Sequence, residues 1–376
     1  MTLQVNEARA RTLRFKGHVP GLDVLRGLAI AMVVIYHGID GRAPFQNFSG
    51  LTRGLVYLTS WGSGGVYLFY VLSGFLITGI ILDGASKRDF YASFYRRRAL
   101  RILPAYFLLL IVLKITNVVT WNFVLASLLF IANMAGLVGA RTSEYGPLWS
   151  LAVEEQFYLL WPWIVRHFSP KGLLAFIAVF PLLSLIALVV IELHFPNLNS
   201  KYKLSGNAPW LLAGAGIAVA LRSGFIHRDN IKRIIAGFAV GALVTSPIIP
   251  YVDFGRVTFL APLYRLPFVL VFVVLLLIVI LRNRGDAPQR LPTRVLAFLG
   301  YISYGLYLVH ELIFMAYERM FANTRLETSE IQIVSLRCVI CAAVSVGIAY
   351  ISRKYFEEQF LRAKRSTTEV AERATG

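Results

Sequence analysis

The sequence predicts an all-α fold, a polytopic bundle of transmembrane helices, on three observations. Of 376 residues, 57% are hydrophobic and only 15% charged, where a soluble domain carries about a quarter charged. Mean hydropathy is +0.64. Apolar runs recur along the chain, each near the roughly 20 residues that cross a bilayer as a helix. The runs are continuously apolar rather than alternating, which excludes a transmembrane barrel. The same composition excludes a disordered, fibrous or ordinary cytosolic chain.

Eleven segments follow in order: 22–40, 61–83, 102–116, 121–139, 149–166, 171–193, 208–221, 234–251, 259–281, 295–318 and 331–352. The first ends in Tyr36-His37-Gly38-Ile39-Asp40. No small-residue cleavage site follows it, so it reads as an uncleaved span rather than a signal peptide. The outer loops are short, and none can fold as a separate periplasmic domain. We expect a cytoplasmic tail at 1–17, a membrane domain at 18–356 and a cytoplasmic tail at 357–376.

Charge orients the chain. There are 38 Lys+Arg against 20 Asp+Glu, a formal excess of +18. The basic residues cluster between apolar runs at Lys87–Arg101, Arg222–Arg233, Arg282–Arg294 and Arg353–Arg365. Short basic loops mark the cytoplasmic side and attract anionic headgroups. The lipid bilayer is thus the expected partner. Nucleic acid is not, because no soluble segment is long enough to fold as a reader.

Five segments lie between Arg101 and Arg222, and an odd number of crossings would put one basic cluster outside. One of the five therefore does not cross. The expected exception is 149–166, which holds Glu154, Glu155 and Gln156 together. Each ionised carboxylate at mid-bilayer costs about 2.5–3.5 kcal/mol. That leaves about ten spans plus one re-entrant or buried helix, with both termini cytoplasmic.

Five patches carry chemistry. Asp23, Arg26 and His37 lie on the first span. Arg26 and His37 are eleven residues apart, so they share a face about 16 Å apart along the axis. Asp23 is close enough to pair with Arg26. Ionisable groups on a membrane helix face the bundle interior and point to function, although an interfacial ion pair is the plain alternative. Ser73, in Ser73-Gly74-Phe75-Leu76-Ile77, is a hydroxyl with no base nearby in sequence, beside a glycine suited to helix packing. Arg98 and Arg101 share a face at the start of a span. Their guanidinium forks suit a phosphate or pyrophosphate arriving from the cytoplasm, or simply flank a helix end.

The fourth patch is Trp149-Ser150-Leu151-Ala152-Val153-Glu154-Glu155-Gln156-Phe157-Tyr158. Glu154 and Glu155 point about 100° apart, so they are unlikely to share one role. One can orient a histidine, the other pair with an arginine. The fifth is Tyr301-Ile302-Ser303-Tyr304-Gly305-Leu306-Tyr307-Leu308-Val309-His310-Glu311, where His310 suits packing, substrate contact or chemistry. Cys338 and Cys341 share a helical face and read as small packing residues. No spacing implies a metal or a disulfide framework.

In this order, the patches resemble the acyltransferase-3 family of bacterial membrane proteins over roughly residues 18–356. The resemblance implies O-acyl transfer, usually acetyl, from cytoplasmic acyl-CoA (acetyl-CoA) to a hydroxyl of a carbohydrate or glycolipid acceptor. It implies a bacterial inner-membrane location, and acyl-CoA as co-substrate with no tightly bound cofactor. Chemistry of this kind needs a base and charge stabilisation. His37 is the expected base or transient acyl carrier. Arg26 would stabilise negative charge or hold the environment of His37, with Asp23 orienting it. Arg98 and Arg101 would grip CoA phosphates. Glu154 or Glu155 would tune an imidazole or line the acceptor path. Ser73, Trp149, Tyr307 and His310 are the expected substrate contacts.

Two rivals share the composition. A sugar or lipid-linked substrate transporter or flippase fits many spans and intramembrane charges, but an inverted half-to-half repeat would favour it and none is evident. A decayed, non-enzymatic relative would be expected to lack His37 or Arg26, and both are present.

Overall fold

The computed structural model describes residues 19–39, 41, 43, 45–84, 89–194, 204–247, 266–283, 290–322 and 330–362. Every element there is helical, and no strand occurs among the described residues. The principal helices are α1 (Pro20–Gly38), α2 (Gly50–Ser60), α3 (Gly65–Gly84), α4 (Phe90–Ile115), α5 (Trp121–Leu128), α6 (Pro147–His167), α7 (Pro170–His194), α8 (Leu204–Arg222), α9 (Ile231–Thr245), α10 (Leu266–Arg282), α11 (Leu291–Tyr301), α12 (Ser303–Phe321) and α13 (Ile331–Ile351).

Among the described residues, three stretches are long and apolar enough to cross a bilayer: Pro20–Gly38, Gly50–Gly84 and Ile331–Arg362. The broken pair α11 and α12 makes a fourth if it counts as one span. The protein is a helical membrane protein. Several expected segments have different bounds. Residues 61–83 begin as a 3-10 turn at Trp61–Gly64. The 295–318 run breaks at Ile302. The last span continues through a π turn at Ser352–Glu357 as far as Arg362. The tail residues 1–17 and 363–376 lie outside the described residues.

The runs at 149–166 and 121–139 differ in form, and α6 is not among the helices long and apolar enough to cross a bilayer. Residues 149–166 fall in α6, a continuous helix of 21 residues, about 31 Å long. Residues 121–139 instead give α5, of 8 residues, about 12 Å long. A separate 3-10 stretch follows at Ala132–Val138. Between them Phe130 takes φ 53°, a left-handed conformation that α-helices of L-residues do not continue through. The short member of the five is therefore 121–139, which the apolar composition alone did not reveal.

The chain forms two compact units. The first comprises Met1–Ala29, Gly64–Ala85 and Ser150–Phe298. Its centre is the α3–α8 pair, with α7 also packed on α8 and α9 on α10. A Cβ at Gly74 would collide with the Leu211 carbonyl, and one at Gly214 with that of Val71. The two backbones therefore touch at reciprocal glycines, as small residues allow where helices meet in a bilayer. Arg222 clamps one end, its Nε and Nη2 donating to the two carboxylate oxygens of Asp83 at 2.8 and 2.7 Å. Trp161 Nε1 donates to Thr78 Oγ1 at 2.8 Å, fixing α6 on α3.

The second unit comprises Ile30–Ser63, Ser86–Trp149 and Leu299–Gly376. Its centre is the α12–α13 hairpin, against which α4 packs. The Tyr304 hydroxyl donates to the Ile102 carbonyl at 2.8 Å, and that of Tyr106 to the Ser127 carbonyl at 2.8 Å. At the end of α1, a Cβ on Gly38 would strike Cys338 of α13 and Phe314 of α12. The three helices meet there.

Gly74→Ala and Gly214→Ala should each destabilise the protein by about 1–3 kcal/mol, the usual result of overpacking. Thermal midpoints in detergent measure this. Gly54→Ala is the control, because a Cβ there meets nothing and its midpoint should not fall.

Candidate active site

The second unit brings two imidazoles together. His37 is in the last turn of α1, and His310 is fully buried on α12. Nε2 of His310 lies 3.2 Å from Nδ1 of His37. Nδ1 of His310 lies 2.9 Å from the Tyr307 carbonyl and 3.2 Å from that of Leu306. Nδ1 of His37 lies 3.0 Å from the Val33 carbonyl.

These partners assign the tautomers. A neutral imidazole carries one N–H and one lone pair. Nδ1 of His310 faces carbonyl oxygens, so it holds the proton and its Nε2 accepts. Nδ1 of His37 faces that Nε2 and a carbonyl oxygen, so it also holds a proton. The lone pair of His37 is thereby placed on Nε2. A base oriented by a hydrogen bond to its other nitrogen is the arrangement general-base chemistry requires.

Aromatic rings pack around the pair. The Tyr36 ring stands edge-on to His37 at 5.0 Å, and the Tyr307 ring lies 5.7 Å from His310. Glu311 is adjacent: ligand-type atoms of His37, His310 and Glu311 all lie within 4.8 Å of one another. Such a trio has the donor types that zinc takes. The two imidazoles already satisfy each other, however, and a metal on His310 Nε2 would displace the His37 N–H.

Tyr145 sets this part of α12. It is fully buried. Its hydroxyl donates to the Leu308 carbonyl at 2.5 Å and accepts from the Leu312 N–H at 3.2 Å. Those two groups are the ends of one helical step, and His310 lies between them. Arg337 is a further charged group, only 5% exposed and within α13. Neither residue was singled out from the sequence. Arg337 carried a signal nonetheless, being an arginine inside the apolar 331–352 run, away from the basic clusters.

The arginine pair is in the same unit. The Arg98 guanidinium stands 5.9 Å over the Phe94 ring. Arg101 is exposed and within electrostatic reach of Glu357. Buried Glu357 is paired with Arg353 at 3.2 Å, and Arg353 stacks over Tyr301 at 4.9 Å. Trp149 is half-buried in the first turn of α6.

The first unit holds the remaining candidates. Asp23 and Arg26 form an ion pair at 3.1 Å. Glu154 Oε1 accepts from both the Ser73 and the Tyr158 hydroxyls. The carboxylate partner that Ser73 lacked in sequence thus comes from α6. Glu155 is half-buried beside it.

A helical membrane protein that holds two hydrogen-bonded imidazoles in one unit has a candidate site for acid–base chemistry. The family described as "acyltransferase domain" matches residues 19–353. The chain belongs to that family, acyltransferase-3. It is 28% identical over 336 residues to the peptidoglycan O-acetyltransferase OatA of Listeria monocytogenes, covering 80% of this chain and 50% of that one. It is 26% identical over 326 residues to the O-acetyltransferase OatA of Staphylococcus aureus, covering 78% and 50%. The chain spans about half the length of the curated relatives it matches. No solved structure matches it.

Tyr145→Phe keeps the ring and removes both hydrogen bonds. Leaving buried polar groups unpaired costs about 1–3 kcal/mol. The variant should melt lower than wild type, with amide exchange as the specific readout: exchange at Leu312, whose N–H donates to the Tyr145 hydroxyl, should quicken relative to α13.

Proposed function

We propose that the protein is an O-acetyltransferase that moves an acetyl group from cytoplasmic acetyl-CoA to a hydroxyl of a cell-envelope glycan. The observation that carries this reading is the His310–His37 hydrogen bond, which leaves the His37 lone pair on Nε2. The names of the relatives make peptidoglycan the first acceptor to test.

The step is as follows. His37 Nε2 takes the proton of the acceptor hydroxyl as its oxygen attacks the thioester carbonyl carbon. The carbonyl electron pair moves to oxygen. Collapse of the tetrahedral intermediate breaks the carbon–sulfur bond, and the thiolate leaves with the proton returned by His37. The products are the O-acetyl ester and CoA. His310 holds the ring and its tautomer throughout, accepting the Nδ1–H at 3.2 Å. Arg98 and Arg101 bind CoA phosphates at the cytoplasmic end, as bidentate guanidinium donors do well. Arg26 lies about three turns from His37 on α1, roughly 16 Å along the axis. That separation is one a pantetheine arm can follow, so Arg26 and Asp23 line the donor path.

Trp149 and Tyr307, in the unit that holds His37, serve as acceptor contacts. In the inner membrane, ten crossings with both termini cytoplasmic satisfy the basic loops. The parity of those loops is equally satisfied if 121–139, rather than 149–166, is the segment that does not cross.

Purified protein in detergent, given acetyl-CoA and peptidoglycan fragments, should release CoA and form O-acetyl esters, read by thiol assay and mass spectrometry. His37→Ala should lower the rate about 10²–10⁴-fold, the span general-base catalysis provides. His310→Gln, which keeps an acceptor, should lose less than His310→Ala. Wild-type protein that does not bind acetyl-CoA would overturn the donor assignment.

A further inference from the structure

In the second unit, the end of α1 and the middle of α12 bring three side chains of metal-ligand type together. Ligand-type atoms of His37, His310 and Glu311 all lie within 4.8 Å of one another. His310 is fully buried, while His37 and Glu311 are half-buried, so the trio is not sealed. The facing nitrogens, His310 Nε2 and His37 Nδ1, are 3.2 Å apart. Two nitrogens bound to one tetrahedral zinc at about 2.0–2.1 Å stand about 3.3–3.4 Å from each other. The pair therefore already has the spacing of one edge of that tetrahedron. His310 is also oriented as metal-ligating histidines are: its Nδ1–H faces the carbonyls of Leu306 and Tyr307, which fixes the lone pair on Nε2. Glu311 brings one negative charge against the ion's two, as burial of charge requires.

We propose that His37, His310 and Glu311 form a zinc site, and that zinc bound there switches the base off. The inhibitory half rests on the acyl-transfer reading above; the binding half does not. Zinc takes lone pairs from His310 Nε2, His37 Nδ1 and a Glu311 oxygen, with water in the fourth position. His37 Nδ1 offers a lone pair only by giving up its proton. A neutral imidazole keeps one N–H, so as Nδ1 loses its proton Nε2 gains one, and the ring releases none in total. Nε2 then has no lone pair, and it is the atom that takes the acceptor proton in the acyl-transfer step. The ion thus removes the base without covering it. The hydrogen bond between the rings is exchanged for two bonds to zinc, so the dyad and the zinc complex are alternative states of the same two imidazoles.

The experiment uses the untagged full chain in detergent, with zinc chloride alone as the probe and bound metal counted by equilibrium dialysis and elemental analysis. Wild type should hold one zinc per chain that His310→Ala loses. Glu311→Gln should weaken binding at least about tenfold, the smallest loss usual even for an outer-shell partner. Cobalt in place of zinc should give the visible bands of a tetrahedral site with no thiolate-to-metal charge-transfer band. In the CoA-release assay, zinc should inhibit wild type in step with the occupancy measured by dialysis, and a chelator should restore the rate. Wild type that retains no zinc, or variants that retain it equally, overturn the site. So does a thiolate band in the cobalt spectrum, which assigns the metal to the free cysteines Cys338 and Cys341 and needs no variant to fold. Zinc that binds the trio yet leaves CoA release unchanged, or raises it, overturns the inhibitory half. Wild type that releases no CoA even without zinc fails the acyl-transfer reading instead, and the dialysis result stands apart from it.

Discussion

An imidazole N–H inside an apolar helical bundle has no water to turn to, so a protein acceptor must meet it. In this protein the acceptor for His37 is a second imidazole, with the Val33 carbonyl beside it. His310 can accept only because its own proton is committed to the carbonyls of Leu306 and Tyr307. Backbone geometry on α12 therefore decides which nitrogen of a side chain on α1 is basic. An aspartate would orient a histidine too, but with a full buried charge that the surrounding helices would have to neutralise. The neutral pair avoids that.

Packing in each unit serves the same need for close, dry contact. Where backbones touch in one unit the residues are glycines, Gly74 and Gly214, and in the other Gly38 leaves room for the Cys338 and Phe314 side chains. Several buried polar groups are paired across helices, as with Trp161 and Thr78 or Tyr304 and Ile102. The Glu154 carboxylate follows the rule, taking two hydroxyls on one oxygen. Arg98 and Arg101, within α4, follow another. They sit over an aromatic ring or toward a buried glutamate, an arrangement that keeps guanidinium groups ordered while leaving them able to meet phosphate.

Much of this was legible in the sequence because apolar runs and charge clusters report on solvent. The helical class and the first and last spans follow from composition and spacing. The Asp23–Arg26 pair follows from a separation of three. What composition cannot report is where a helix stops inside an apolar run. Residues 121–139 read as one span, yet the backbone turns left-handed at Phe130 and leaves an eight-residue helix. Nor can spacing report pairings between distant segments. His37 and His310 are separated by 273 positions, and Ser73 and Glu154 by 81. Tyr145 was not singled out because its partners are main-chain atoms, which leave no trace in the sequence. Arg337 was visible but was absorbed into the hydrophobicity of its neighbours.

The Tyr145 phenol is also a gauge block. Its oxygen occupies the interval between the Leu308 carbonyl and the Leu312 amide, so its width fixes that interval. The axial register of everything on that turn, His310 and Glu311 included, is set from outside the helix. A residue of different length at 145 would lose both main-chain contacts on the turn that carries His310. The short segment before α6 thus holds a contact that α12 cannot supply for itself.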